Sequence, residues 1–260
     1  MFLVKLGGSI ITDKAKQYTF KQEIMNNLSK EIQQSKQQII LVHGAGSFGH
    51  ILAKQYNLQQ GYKENSQLSG FAQTHAKVQH LNSLVLESLH HQHIPAISLP
   101  PHAILTLDNH HIFHLNYELF SKYLQLGFTP VTFGDVALDN TLGFSICSGD
   151  LLMLLLAQHF KPEKVIFVLD EDGIYTDNPK QNTQAKLIEH AHYTDLAHLR
   201  TNADTHADVT KGMQGKIETI KSITQLGIDT ILLNGNIHNR LFDTLNGKKT
   251  LSTYIYGDKK

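Results

Sequence analysis

Between Ile39 and Lys54 the sequence IILVHGAGSFGHILAK sets an aliphatic run directly against glycines at Gly44, Gly46 and Gly49. Such a pattern reads as a buried strand, a tight turn and a helix start. A turn of this kind suits phosphate: without Cβ atoms the backbone approaches an anion closely, and the first helical turn adds positive dipole. His50 stands where the glycine turn ends. The Gly44-x-Gly46-x-x-Gly49 spacing also matches the dinucleotide fingerprint, which expects an acidic residue at the end of the next strand. That strand, Ile94 to Leu99, runs instead into Pro100-Pro101, so phosphate chemistry has to be sought elsewhere in the chain.

The 260 residues can bury a large core, as one sizeable α/β domain or two intimately joined lobes. Lys+Arg and Asp+Glu both number 23, which leaves no net charge to draw nucleic acid or a membrane surface, though a small anionic ligand remains compatible. The single Cys147 excludes an internal disulfide framework, and without a charged-then-apolar leader at Met1 a cytoplasmic location is expected. The longest fully apolar run, Leu151 to Ala157, is too short to span a bilayer.

A second strand-to-glycine turn opens the chain. Phe2 to Leu6 is apolar except for Lys5, and Gly7-Gly8-Ser9 follows. Parallel strands bring their carboxyl ends to one edge, so both turns can face one ligand system. Lys5 is either an edge lysine whose stem snorkels to water or a phosphate contact, and its place beside Gly-Gly favours the contact. Lys14 would reach back over the same pocket. Phe20 to Ser35 has helical spacing, and the glycine turn predicts a helix from Gly49 to Tyr56. The region from Ser66 to Ser88 reads as one helix, with Leu68, Phe71, Ala72, Val78, Leu81, Leu84, Val85 and Leu89 as its packing face. Part of that face could instead line an apolar substrate pocket, though residue by residue the sequence favours core packing.

The clusters His90-His91-x-His93 and His110, His111, His114 lack Cys or a ligand-spaced acid, and carry little weight as metal sites. Phe128 to Phe133 predicts a buried strand, and a hairpin-like stretch runs through Asp139-Asn140 and Gly143. Ser148-Gly149-Asp150 then opens the helix Leu151 to Phe160. Ser148 or Asp150 caps that helix, or its N-terminus offers N–H donors with Asp150 orienting a lysine, and both can hold. The strand Lys164 to Leu169 enters Asp170-Glu171-Asp172-Gly173, a polar turn, a Mg²⁺ ligand set or a nucleotide contact. Asp208 to Lys216 starts a helix reaching Leu226, with Lys216 one turn beyond Gly212, and the strand Thr230 to Leu233 follows. Strands and helices alternate throughout, as in a sheet covered on both faces.

In that order, VKLGGSIITDK, VHGAGSFGH, FGD, SGD, VLDEDGIY and DVTKGMQGK resemble the amino acid kinase superfamily, and within it the isopentenyl phosphate kinases. The resemblance covers essentially the whole chain, and the histidine directly after GSFG is its most discriminating part. It implies an α/β, three-layer αβα sandwich with a mainly parallel sheet, as a single domain over residues 1–260. On that pattern the part up to about residue 160 binds the acceptor phosphate, the remainder binds ATP, and subunits pair as homodimers. The implied reaction is Mg²⁺-assisted transfer of the ATP γ-phosphoryl group to isopentenyl phosphate.

By the same resemblance, Lys5, Gly7, Gly8 and Ser9 surround the ATP β- and γ-phosphates, and Lys14 stabilises the transition state. Ala45, Gly46 and Gly49 form the turn between donor and acceptor phosphates, with Gly46 on the ATP side and His50 on the acceptor. Gly149 contacts the acceptor beside Asp150, while Asp170, Gly212 and Lys216 contact the nucleotide. Two departures stand out: Lys211 where relatives commonly have glycine, and Ala45 within HGAG. A fosfomycin kinase, a kinase for another small alkyl phosphate, and a catalytically idle nucleotide-binding module are the competing readings.

Overall fold

The computed structural model describes residues 1–179, 181–198 and 212–258. Strand β1 (Phe2–Leu6) leads through α1 (Gly8–Ile11) and α2 (Gln22–Ser35) to β2 (Ile39–His43), α3 (Gly46–Gln55) and the long α4 (Ser66–His91). Then come β3 (Ala96–Ser98), α5 (Pro101–Ile104), β4 (Leu105–Asp108), β5 (His111–Leu115), α6 (Tyr117–Gln125), β6 (Thr129–Phe133), β7 (Asp135–Asp139) and β8 (Gly143–Cys147). The chain closes with α7 (Gly149–Phe160), β9 (Lys164–Leu169), β10 (His190–His192), α8 (Gly212–Gln225), β11 (Asp229–Asn234), α9 (Arg240–Leu245) and β12 (Thr253–Tyr256).

Eight strands form the main sheet in the order β10-β12-β11-β9-β1-β2-β6-β3, and β5-β4-β7-β8 form a smaller one. The main sheet is parallel except where β12 runs against β11. Its inner strands β2 and β9 read as nearly unbroken apolar runs because helices cover both faces. Leu3, Val42 and Phe167 pack on one face with Leu152 and Leu156 of α7 and Ile220 of α8. Val4, Leu41 and Ile166 pack on the other with Leu28 of α2, Leu81 of α4 and Leu241 of α9. The expected three layers are therefore present.

Chain order reverses at β1. After β2 the chain builds outward to β6 and β3, then returns to add β9 and β11 on the other side. Ligands of open α/β sheets bind at such a switch point, outside the carboxyl ends of the strands. Here the turns after β1 and β2 meet backbone to backbone. A Cβ at Gly8 would lie 2.6 Å from the Gly46 nitrogen and Cα, and one at Gly44 would lie 2.6 Å from the Gly8 nitrogen. Gly46 also has φ +51°, and a Cβ there would sit 2.2 Å from Thr12 Oγ1.

The sequence expectations need correcting at several points. Helix α3 begins at Gly46 rather than Gly49, so Gly49 lies within its first turn and its amide donates to the Ala45 carbonyl at 3.2 Å. Glycine is required there by packing: a Cβ would meet Ala45 Cβ at 2.6 Å and Val78 Cγ2 of α4 at 3.0 Å. Leu68 and Ala72 of α4 face solvent, because the buried stripe of this helix runs instead through Gly70, Thr74, Val78, Leu81, Val85 and Leu89.

Replacing Gly8 by alanine drives a methyl group into the Gly46 backbone, which has no flexible side-chain end to give way. Urea unfolding of Gly8→Ala should show a loss of about 1–3 kcal/mol, the range of overpacked interiors. Gly127→Ala, whose Cβ meets nothing within 4 Å, should leave that overlap absent and suffer only its positive-φ strain.

Candidate active site

Strand alternation puts Lys5 on the sheet face that carries Leu3 and Phe167, beneath α7. Its side chain is buried, and Nζ donates to Asp150 Oδ1 at 2.5 Å. Lys216 of α8 approaches the same carboxylate, with Nζ 3.8 Å from Oδ2. Both ammonium groups stand 5.9 Å from the Phe167 ring centroid. Burial alone would raise the Asp150 pKa, but the Lys216 and Lys5 charges outweigh it and hold the carboxyl below its ordinary value. A charge on His50 acts in the same direction. The carboxylate is thus ionised at neutral pH and shared by two ammonium groups, cations of the kind that suit a polyphosphate.

At the start of α7 the structure shows both the helix cap and the carboxylate–lysine contact expected from the sequence. Ser148 Oγ accepts from the Leu151 amide at 3.1 Å and caps the helix, while Asp150 in the first turn holds Lys5. Carboxylates are favoured at that end of a helix by its dipole. Gly149 packs against the same lysine, since a Cβ there would lie 3.2 Å from Lys5 Cε. A Cβ at Gly134 would be 3.1 Å from the Gly149 nitrogen and 3.8 Å from the Ala45 nitrogen, so the starts of α3 and α7 share one edge.

On the other side of β1, Ser9 Oγ donates to Asp170 Oδ1 at 2.7 Å, bridging the turns after β1 and β9. The Gly7 amide donates to the Val168 carbonyl at 2.9 Å, next to that bridge. Three residues passed over in the sequence stitch these turns. Thr12 Oγ1 donates to the Gly8 carbonyl at 2.7 Å and accepts from the Ser47 amide at 3.1 Å, and Lys21 Nζ donates to the Ser9 carbonyl at 2.9 Å. His43, the residue before the glycine turn, is fully buried, stacks on Phe133 with centroids 4.9 Å apart, and contacts the Gly44 carbonyl at 3.1 Å. Burial holds its pKa down to about 4, so it supports the turn as a neutral ring.

The predicted residues Lys5, Gly7, Gly8, Ser9, Ala45, Gly46, Gly149, Asp150, Asp170 and Lys216 therefore converge on the carboxyl edge of β1, β2 and β9, with Gly49 and His50 one turn along α3. Lys14 does not join the Lys5–Asp150–Lys216 contacts; it stands exposed on the loop after Thr12. Asp172, in the predicted acidic turn, is engaged by Arg240 and by Asn234 Nδ2 at 3.2 Å. Gly212 is the first residue of α8, and Lys211 lies outside the described residues.

The Amino acid kinase family description matches residues 1–234, which contain every site residue expected from the sequence. The chain belongs to the amino acid kinase family. Among family members it is 35% identical to the isopentenyl phosphate kinase of Methanothermobacter thermautotrophicus, over 99% of this chain and 99% of that protein. It is 32% identical to the isopentenyl phosphate kinase of Thermoplasma acidophilum, over 94% and 95% of the two chains. A solved isopentenyl phosphate kinase structure superposes with a TM-score of 0.86 at 32% identity, covering 98% of this chain and 99% of that one. The UMP kinase of Ureaplasma parvum, with a TM-score of 0.63 at 14% identity over 98% and 97%, shares the fold alone.

Two outcomes follow for this family member. The folded pKa of His43 is below its unfolded value of 6.5, so the unfolded chain binds more protons between pH 6.5 and about 4. The associated stability is complete above pH 6.5 and is lost as pH falls, by about 3 kcal/mol in full. Denaturation measured across that window should show the loss, and His43→Gln should flatten it. Separately, Asp150→Ala removes the carboxylate from two buried or half-buried ammonium groups. Its unfolding free energy should drop by about 3–5 kcal/mol at neutral pH, with the drop diminished by added pyrophosphate.

Proposed function

We propose that this chain is an isopentenyl phosphate kinase of isoprenoid biosynthesis, transferring the γ-phosphoryl group of ATP to the phosphate of isopentenyl phosphate to give isopentenyl diphosphate. The observation that carries this reading is the convergence of Lys5 and Lys216 on the carboxylate Asp150, set where the glycine turns meet, in a chain matching such kinases along its whole length.

Phosphoryl transfer asks the protein for in-line positioning and for charge neutralisation over the γ-oxygens. An acceptor phosphate is already a nucleophile near neutral pH, so no strong base is needed. The difficulty is bringing two anions together. Lys5, Lys216, the N-termini of α3 and α7, and Lys14 from its loop are the groups assigned to that task. Gly7, Gly8, Ser9, Gly46, Asp170 and Gly212 are assigned to ATP, and Ala45, Gly49, His50 and Gly149 to the acceptor. Residues up to about 160 then form the acceptor-binding part and the remainder the nucleotide-binding part.

Mg²⁺ binds mostly through phosphate oxygens and one or two protein carboxylates. Asp170 with Ser9, at the carboxyl edge of β9 and β1, is a carboxylate–hydroxyl pair of that kind. When bound, the ion would neutralise developing charge on the nucleotide.

An apolar cluster of Ala53, Leu58, Val136 and Phe144, joined by Tyr56, Phe71 and Ile146, lies between α3, α4 and the β7–β8 hairpin. Ala53 is one turn beyond His50 on α3. The cluster's four core residues are buried, so a prenyl tail extending from a phosphate at His50 would reach the partly buried Tyr56, Phe71 and Ile146 at its edge, apolar groups that suit a hydrocarbon acceptor better than small polar fosfomycin. We further infer a homodimer, for which exposed Phe113 and Leu138 on the smaller sheet offer apolar surface, acting in the cytoplasm. The buried free thiol of Cys147 fits a reducing compartment. Among the described residues no helix is long and apolar enough to cross a membrane.

ADP release with ATP and Mg²⁺ should be fast with isopentenyl and dimethylallyl phosphates and absent with fosfomycin or no acceptor. His50→Ala and Lys216→Met should each lose about 10²–10³-fold in kcat/KM while His50→Ala keeps its unfolding midpoint. Turnover with fosfomycin alone would move the acceptor, and normal kinetics in His50→Ala would remove its assigned role.

A further inference from the structure

Apart from the lysines and their carboxylate, a second cluster of ligating side chains forms where three separate segments meet. His75 comes from α4, His102 from α5, and Asp135 is the first residue of β7. One ligand atom from each lies within 4.8 Å of the other two. His75 Nδ1 stands 2.8 Å from Asp135 Oδ2, and the two imidazole rings meet edge to face with centroids 4.2 Å apart. Asp135 is only 3% exposed, His75 is half-buried and His102 is exposed, so the cluster is closed on the carboxylate side and open on the histidine side.

A buried carboxylate needs a partner, and His75 supplies one; this alone would explain two of the three residues. His102 is left over. It adds a second imidazole to a carboxylate already satisfied by His75 and by the Val136 amide, which donates to Oδ1 at 2.8 Å. Two imidazoles and a carboxylate are the donor set that Zn²⁺ and neighbouring divalent transition metals take, at about 2.0–2.2 Å per ligand. Ligands on such an ion lie roughly 3 Å apart, a spacing that His75 and Asp135 already have. His102 has to approach by a rotamer adjustment, which its exposure permits.

We propose that His75, His102 and Asp135 bind one divalent transition-metal ion of the zinc type. The ion would join α4, α5 and β7, and its site adjoins Gly134, whose neighbours are the Ala45 and Gly149 nitrogens. It would brace that side of the phosphate edge while leaving the remaining coordination positions open to solvent.

The test uses full-length, tag-free protein stripped with EDTA. Surface histidines such as His90, His91, His110 and His111 also bind metal weakly, so the informative quantity is the difference between wild type and His102→Ala. Calorimetric titration with Zn²⁺ should show one tight equivalent in wild type that weakens at least tenfold in His102→Ala. Co²⁺ should give a visible ligand-field band that the variant lacks. Zn²⁺ at a hundredfold excess over its Kd should raise the wild-type Tm by roughly 5–10 °C, with no such rise in the variant. In EDTA the two proteins should melt together, since His102 is exposed; His102→Gln serves if they do not. Equal tight binding in wild type and variant, or no tight equivalent in wild type, overturns the proposal.

Discussion

A lysine ammonium inside the central strand of a sheet has to be compensated, and the Lys5–Asp150 pair does this while fixing much of the molecule. Desolvating one ammonium is worth several kcal/mol against folding unless a carboxylate arrives with good geometry. Asp150 arrives from the first turn of α7, so the ion pair sets how that helix sits over β1. Lys216 then brings α8 to the same carboxylate. Elements separated by more than a hundred residues are thereby brought to one point beside the glycine turns.

The electrostatic character of this edge comes from unequal solutions to burial. Asp150 remains ionised although buried, because two cations oppose its desolvation. His43, equally buried and without such help, is neutral. It gives up charge and instead shapes the turn through Phe133 and the Gly44 carbonyl. Neutral support beneath a positive rim adds no further repulsion among the cations there.

Much of this was legible in the sequence for local reasons. Unbroken apolar runs marked β1, β2, β6 and β9, because strands covered on both faces have no polar side to show. Glycines marked the turns, and a charge inside an apolar strand singled out Lys5. Of the smaller sheet only the β7–β8 hairpin was legible: β5 carries His111 and His114 on a largely exposed strand, without the alternation that would announce it. Nor were the stitches. Ser9 and Asp170 are 161 positions apart, and Thr12 reads as an ordinary polar residue until its hydroxyl is seen between Gly8 and Ser47. His75, His102 and Asp135 share no spacing at all, while the histidine runs that do catch the eye lie outside their cluster.

The close approach of Gly8 to Gly44 and Gly46 leaves the inner rim of the cradle built almost wholly of main-chain atoms. Peptide groups are the same whatever residue carries them, so on the proposed reading this rim would hold a phosphate without regard to what the phosphate is attached to. A change of acceptor need not disturb it. On that reading selectivity would be displaced outward to the side chains on α3, α4 and the β7–β8 hairpin, which can drift in size and polarity while the part that handles charge stays constant. One scaffold can in this way pass from one phosphorylated molecule to another by altering its walls alone.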